Sequence, residues 1–124
     1  MSRLSRSFLF AWQGLRACML SEPNFRIHIL SSVLVVVAGF FFGISTFEWL
    51  LVLLCTGFVI GMEMLNTAIE KLCDVVHREY HPGIRQTKDI AAGAVLASAI
   101  IAAICGAVIF GPKVYSIIST NLLV

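Results

Sequence analysis

Charge is scarce in this chain: Asp, Glu, Lys and Arg make up only 13% of its 124 residues, against 59% hydrophobic residues. An ordinary soluble domain is thereby excluded. Polar and apolar residues nowhere alternate strictly, which leaves helices rather than a closed barrel as the means of crossing a bilayer. The four cysteines, Cys18, Cys55, Cys73 and Cys105, have no paired spacing. They are expected to be small buried hydrophobes, not metal ligands or a disulfide pair. The N-terminus lacks the uninterrupted apolar core of a cleavable signal peptide, so none is expected. Repeats, low-complexity tracts and linkers are missing too, which predicts a single domain over 1–124. Neither a Walker A sequence nor a Gly-rich kinase loop is found. The net charge of +2 implies no nucleic-acid partner.

What remains is apolar length. Residues 27–47 and 90–110 carry no charged side chain, and as helices each extends about 31 Å, enough for a hydrocarbon core. A third apolar run starts at Trp49. The predicted architecture is all-α: a surface helix over 2–20, then transmembrane helices over 27–47, 49–76 and 88–110. In the surface helix Leu4, Phe8, Ala11, Trp12, Leu15 and Met19 share one side, with Arg6, Gln13 and Arg16 opposite. Leu9 and Phe10 break the pattern. Pro23 is read as the break before the first span, and His28 at its mouth as an interfacial hydrogen-bonding residue. Arg3, Arg6, Arg16 and Arg26 precede that span, Lys71, Arg78, Arg85 and Lys88 flank the second connection, and Lys113 alone lies on the other side. The positive-inside rule therefore predicts a cytoplasmic N-terminus and second loop. The second helix is expected to continue toward Tyr80 and stop at "HPG". Thr87 is the candidate N-cap of the third, whose face of small residues suits close helix approach. Gly111 and Pro112 are read as its end.

The segment "GMEMLNTAIEKLCDVV" is the unusual feature. At 100° per residue, Glu63, Glu70 and Asp74 fall within about 40° of one another and Asn66 about 60° from Glu63. Glu63 lies about 22 Å along a helix that starts near Glu48, still at the hydrocarbon boundary. An ionised carboxylate there needs a cation, a metal or water beside it. Three helices enclose too little space for such groups, so an oligomer is expected.

Three readings stay open on these residues alone. Carboxylates at the surface can hold a divalent cation and take a proton, while Arg85, Lys88 and the third helix's N-terminus face phosphate groups. That is phosphoryl transfer from a nucleotide to a membrane-borne acceptor. A proton or cation relay through Glu63 is the second, but Thr56 and Ser98 offer a meagre path across the membrane. A scaffold subunit is the third, and it leaves the gathering of Glu22, Glu63, Glu70, Lys88 and Asp89 without a purpose.

"EMLNTAIEKLCD", followed by "EYHP" and "KDIAAGAVL", closely resembles the bacterial small integral-membrane lipid kinases, the prokaryotic diacylglycerol kinase and undecaprenol kinase family. The likeness covers essentially the whole chain. "NFRIH", "KDIAAGAV" and "IFGPK" look more like the undecaprenol kinase branch. The resemblance implies a homotrimer with shared sites that uses ATP and Mg2+ to phosphorylate a lipid alcohol, undecaprenol or diacylglycerol, at the cytoplasmic face of the bacterial inner membrane. Carried over by matching positions, Glu63 would be the general base with Asn66 beside it, and Glu22 and Glu70 would hold magnesium against the nucleotide. Lys88 would neutralise phosphate charge. Asp89, Glu79, Tyr80 and His81 would contact the nucleotide, and Phe10, where relatives can have Tyr, would stack on adenine. Arg3 would approach ATP or lipid, with Phe25, Arg26, Trp49 and Glu63 as the further lipid contacts.

Overall fold

The computed structural model describes residues 1–123, which form four helices: α1 (Arg3–Ser21), α2 (Pro23–Phe42), α3 (Thr46–Val76) and α4 (Pro82–Leu122). The last three are long and apolar enough to cross a membrane. The chain is an all-α membrane protein with an amphipathic helix ahead of its spans.

Ser2 caps α1 by accepting the Ser5 N–H at 3.2 Å. Glu22 alone, in an extended conformation, joins α1 to α2. Pro23 opens α2, where its missing N–H costs nothing. Arg26 then reaches back: its Nη1 donates to the carbonyls of Met19 and Leu20 at 3.1 and 3.2 Å. Two C=O groups left open at the end of α1 are satisfied by a cation, which also suits that end of the helix dipole. Cys18 is the buried side chain of α1, while Leu4, Phe8 and Trp12 stay exposed, as a helix lying on a membrane surface requires.

The expected span 27–47 is cut short. α2 ends at Phe42 because Gly43 adopts φ 60°, and Ile44 N–H donates to Gly39 O at 3.1 Å while Gly43 N–H donates to Phe40 O at 3.3 Å. This pattern closes a helix and needs glycine at its left-handed position. Ser45 then starts α3 through a capping box, accepting from Glu48 N–H at 3.2 Å while the Glu48 carboxylate accepts from Ser45 N–H at 3.0 Å. Phe47 thus belongs to α3, which begins three residues before the expected 49.

The second connection also differs from expectation. α3 ends at Val76, the expected bound of the span, without the further continuation toward Tyr80, and His77 to His81 form the link. Pro82 begins α4 instead of ending α3: it sits in the first turn, and His81 caps the helix by accepting Gly83 N–H on Nδ1 at 3.0 Å. Thr87 is therefore not the N-cap but lies inside α4, its hydroxyl donating to Gly83 O at 2.9 Å. The helix starts before residue 88 and does not stop at Gly111 and Pro112, running through to Leu122. Pro112 deprives one carbonyl of its donor, and the helix absorbs that loss.

α3 and α4 lie side by side and antiparallel, clasped at both ends by ion pairs. Lys88 Nζ meets Asp74 Oδ1 at 2.6 Å, and Lys113 Nζ meets Glu48 Oε2 at 2.9 Å. Near the Glu48 end, Ile44, Val52 and Ile109 form an apolar core, with Phe42 against Phe110 at a ring separation of 5.9 Å. Toward the Asp74 end lie the buried polar side chains, Glu63, Asn66, Thr67 and Ser98, beside buried Phe25, Cys73, Ala91 and Val95. Chemistry is confined to that half.

Candidate active site

Glu63 sits on the face of α3 that carries its buried residues, one helical turn beyond Val59, and is 3% exposed. Asn66 and Thr67 share that face, 8% and 3% exposed, and Asn66 Oδ1 and Thr67 Oγ1 are enclosed without a hydrogen-bond partner. Ser98 closes the α4 side, its hydroxyl turned to Val95 O at 2.8 Å. From α2, His28 presents Nε2 to Glu63 Oε2 at 3.8 Å. Glu70, two turns along α3, and Glu22, at the α1 to α2 corner, both act electrostatically on Glu63. Three carboxylates from two parts of the chain thus feel one another's charge, with Glu63 buried and Glu22 and Glu70 half-buried.

Glu22 and Glu70 have no Lys or Arg partner among the described residues. Unpaired carboxylates beside a third are a donor set suited to a hard divalent cation. No group of three side chains among the described residues is arranged to hold a metal unaided. Magnesium commonly takes one or two carboxylates and fills its remaining positions with phosphate oxygens and water.

A second feature lies beyond the end of α3. His77, Arg78, Glu79, Tyr80, His81, Ile84, Arg85 and Lys88 line a cleft of about 190 Å³. Three cations and an exposed aromatic ring surround it, a combination suited to phosphate and a planar base. Along α3, Glu70 lies between Glu63 and Asp74, the residue that holds Lys88 at the cleft. Asp89 is paired with Arg85 of the cleft wall, whose Nε donates to it at 3.1 Å.

The expected residues are thus partly united. Glu22, Glu63, Asn66 and Glu70 form one cluster, and Glu79, Tyr80, His81 and Lys88 line the cleft. Phe25 is buried at 2% exposure, and Arg26 serves the end of α1. Arg3 and Phe10 are exposed on α1, neither lines the cleft, and Arg3 makes no ion pair among the described residues. Trp49 stands near the opposite end of α3, about 21 Å of helix from Glu63, with its ring 4.9 Å from Phe40. Two members escaped sequence reasoning. Thr67 was legible, since it falls about 40° from Glu63 on the same helical wheel. His28 was singled out, but its partner 35 positions away is set by the packing of α2 on α3.

A lipid-facing exterior, a polar cluster inside one end of a helical bundle and a cationic cleft beside it define a membrane enzyme class. Residues 9–110 match the family described as prokaryotic diacylglycerol kinase. The undecaprenol kinase of Bacillus subtilis is 37% identical over 113 residues, covering 91% of this chain and 92% of that protein. The diacylglycerol kinase of Escherichia coli K12 is 31% identical over 103 residues, with 83% and 84% coverage. That of Synechocystis is 36% identical over 112 residues, or 90% of this chain and 64% of the relative. The chain belongs to the prokaryotic diacylglycerol kinase family and is a lipid kinase.

Proposed function

We propose that the protein transfers the terminal phosphoryl group of ATP to undecaprenol at the cytoplasmic face of a bacterial inner membrane, acting as a homotrimer with Mg2+. The buried Glu63 carboxylate, set between a lipid-facing bundle and a cationic cleft, is the observation that carries the reading. An undecaprenol kinase combines 37% identity with 92% coverage of its own length, against 36% with 64% and 31% with 84% for two diacylglycerol kinases, which supports the polyprenol as acceptor by a narrow margin. Diacylglycerol is the second acceptor, because apolar contacts discriminate weakly between lipid chains.

In this mechanism the triphosphate lies from the cleft toward Glu63, with Lys88 offsetting its charge and Tyr80 and Phe10 available to the base. Glu22 and Glu70 would hold magnesium, which when bound supplies charge neutralisation on the phosphates. Glu63 accepts the proton of the lipid hydroxyl as that oxygen bonds to phosphorus and the bond to the ADP oxygen breaks. Fixed positioning of base and acceptor supplies much of the rate. Asn66 holds reacting groups beside it. Arg3 and Phe10 would reach the site from a second copy.

Purified protein in mixed micelles, offered ATP with undecaprenol or diacylglycerol, tests this directly. Glu63→Gln is expected to lower kcat by about 10²–10⁴-fold in an intact oligomer. Wild-type turnover in that variant would remove Glu63 as the base, and an intact oligomer inert toward both lipids would refute the kinase assignment of substrate class.

A further inference from the structure

Glu63 is a carboxylate in a crowded place. Glu22 and Glu70 act on it with the same sign of charge, and His28 is the one basic side chain within 4 Å among the described residues. An anion screened from water needs a donor or a cation to hold one orientation. His28 is built to serve. Its backbone carbonyl accepts the Ser32 hydroxyl at 2.8 Å, and α2 is anchored two residues earlier by Arg26 on the end of α1. The ring is 22% exposed, on the wall of a cleft of about 360 Å³ that runs between α2, α3 and α4 past Ser31, Thr56 and Ala102. His28 therefore stands between the carboxylate and an opening toward the lipid phase.

We propose that His28 is a positioning residue for Glu63, a role that rests on the proposed kinase reading: its Nε2–H anchors Oε2 and leaves Oε1 for the acceptor hydroxyl. The separation of 3.8 Å is longer than a hydrogen bond. Closing it to about 2.8 Å takes a small side-chain rotation, and contacts of this kind commonly tighten when substrate arrives. No proton transfer to or from the lipid is assigned to His28.

The test compares wild type, Glu63→Gln, His28→Leu and His28→Gln in the same micelles. His28→Leu is expected to lower kcat by about 10 to 100-fold with both KM values within about twofold, since a misplaced base affects the transition state and not ground-state binding. His28→Gln, which keeps an N–H donor, is expected to recover kcat to within about threefold of wild type. Unchanged kcat in His28→Leu, a change confined to KM, or no recovery in His28→Gln overturns the proposal. Ring-¹⁵N spectra supply a readout independent of turnover: Glu63→Gln is expected to move the His28 Nε2 resonance, and an unmoved resonance overturns the pairing even if His28→Leu fails to assemble. Wild-type protein inert toward both lipids would refute the kinase reading instead, and the spectra would still decide the pairing.

Discussion

Gly39→Ala should destabilise the protein even though alanine is the better helix former. A Cβ on Gly39 would lie 2.6 Å from Trp49 Cη2, 2.9 Å from Trp49 Cζ2 and 3.1 Å from Ile44 Cδ1. Carbon atoms rest at about 3.5–4.0 Å, so the indole must retreat by about 1 Å. Phe40 lies against the same ring at 4.9 Å, and Ile44 belongs to the buried core, so the retreat meets packed neighbours. Overpacking of this kind costs about 1–3 kcal/mol, offset by about 0.5–1 kcal/mol from replacing a helical glycine. The net loss is about 1 kcal/mol. In a Trp49→Ala background the two shortest contacts are gone, Ile44 Cδ1 at 3.1 Å need give only a few tenths of an ångström, and Gly39→Ala should become stabilising. A double-mutant cycle by reversible unfolding in detergent reads the sign change directly, with a coupling of about 1–3 kcal/mol. Because this contact is about 21 Å along α3 from Glu63, kcat per folded molecule should not move. Equal effects of Gly39→Ala in both backgrounds would refute the packing argument. A fall in turnover at unchanged stability would instead tie Trp49 to the lipid.

Arg26→Gln removes the guanidinium that holds the Met19 and Leu20 carbonyls, and is expected to loosen α1 by about 1 kcal/mol, seen as about fivefold faster amide exchange in its last turn. Unchanged exchange would show the contact to be idle. Burial, with Glu22 nearby, pushes the Cys18 thiol above its ordinary range, so little thiolate exists at pH 8. In a chain whose other cysteines are serine, iodoacetamide should therefore react about tenfold or more slowly in the folded protein than in denaturing detergent, and equal rates would refute the burial. Cys55 on α3 faces Cys105 on α4. With only those two cysteines kept, a short thiol cross-linker should give a band of monomer size, whereas a dimer-sized band would mean that α3 and α4 pair between chains.

The spans were legible because hydrophobicity accumulates over about 20 residues, and no local exception at a single position can hide it. Their ends were harder to read. Gly43 and the run Ser45-Thr46-Phe47-Glu48 carry a stop and a capping box in plain sequence, yet Gly43 and Ser45 lie inside the uncharged stretch 27–47, whose length alone suggests an unbroken helix. Pro82 and Pro112 both differ from expectation, because proline removes one hydrogen bond and crowds the carbonyl four residues back, and neither effect need end a helix. At the first turn of α4 that bond is absent anyway, and mid-helix in an apolar setting the neighbouring bonds keep the helix going. The acidic face of α3 followed from its 3.6-residue period. The partner of Glu63 did not, since nothing in a periodicity links His28 on one helix to a carboxylate on another.

The two clasps explain why the polar cluster can exist inside an apolar bundle. Glu48 and Asp74 are 26 residues apart on α3, about 39 Å of helix, while Lys88 and Lys113 are 25 apart on α4. Near-equal spacings leave one antiparallel register in which both pairs form, because a slip of one turn, about 5.4 Å, would separate both. That register puts Ser98, small and satisfied by its own helix, alongside the stretch that carries Glu63, where a larger side chain would fill the space. It also fixes Glu63 about 17 Å short of the Asp74 level, well inside the bundle. At that depth charge is tolerated only where a partner or water meets it. The Glu48 end has the apolar core and needs no opening, whereas the Asp74 end has α2 leaning on α3 through His28, with Glu22 at the corner where α1 departs. A membrane enzyme acting on a lipid hydroxyl needs that asymmetry: one end packed for stability, the other left with polar groups that its own chain does not fully satisfy. Asn66 Oδ1 and Thr67 Oγ1, enclosed and unpartnered beside Glu63, are the sign of it.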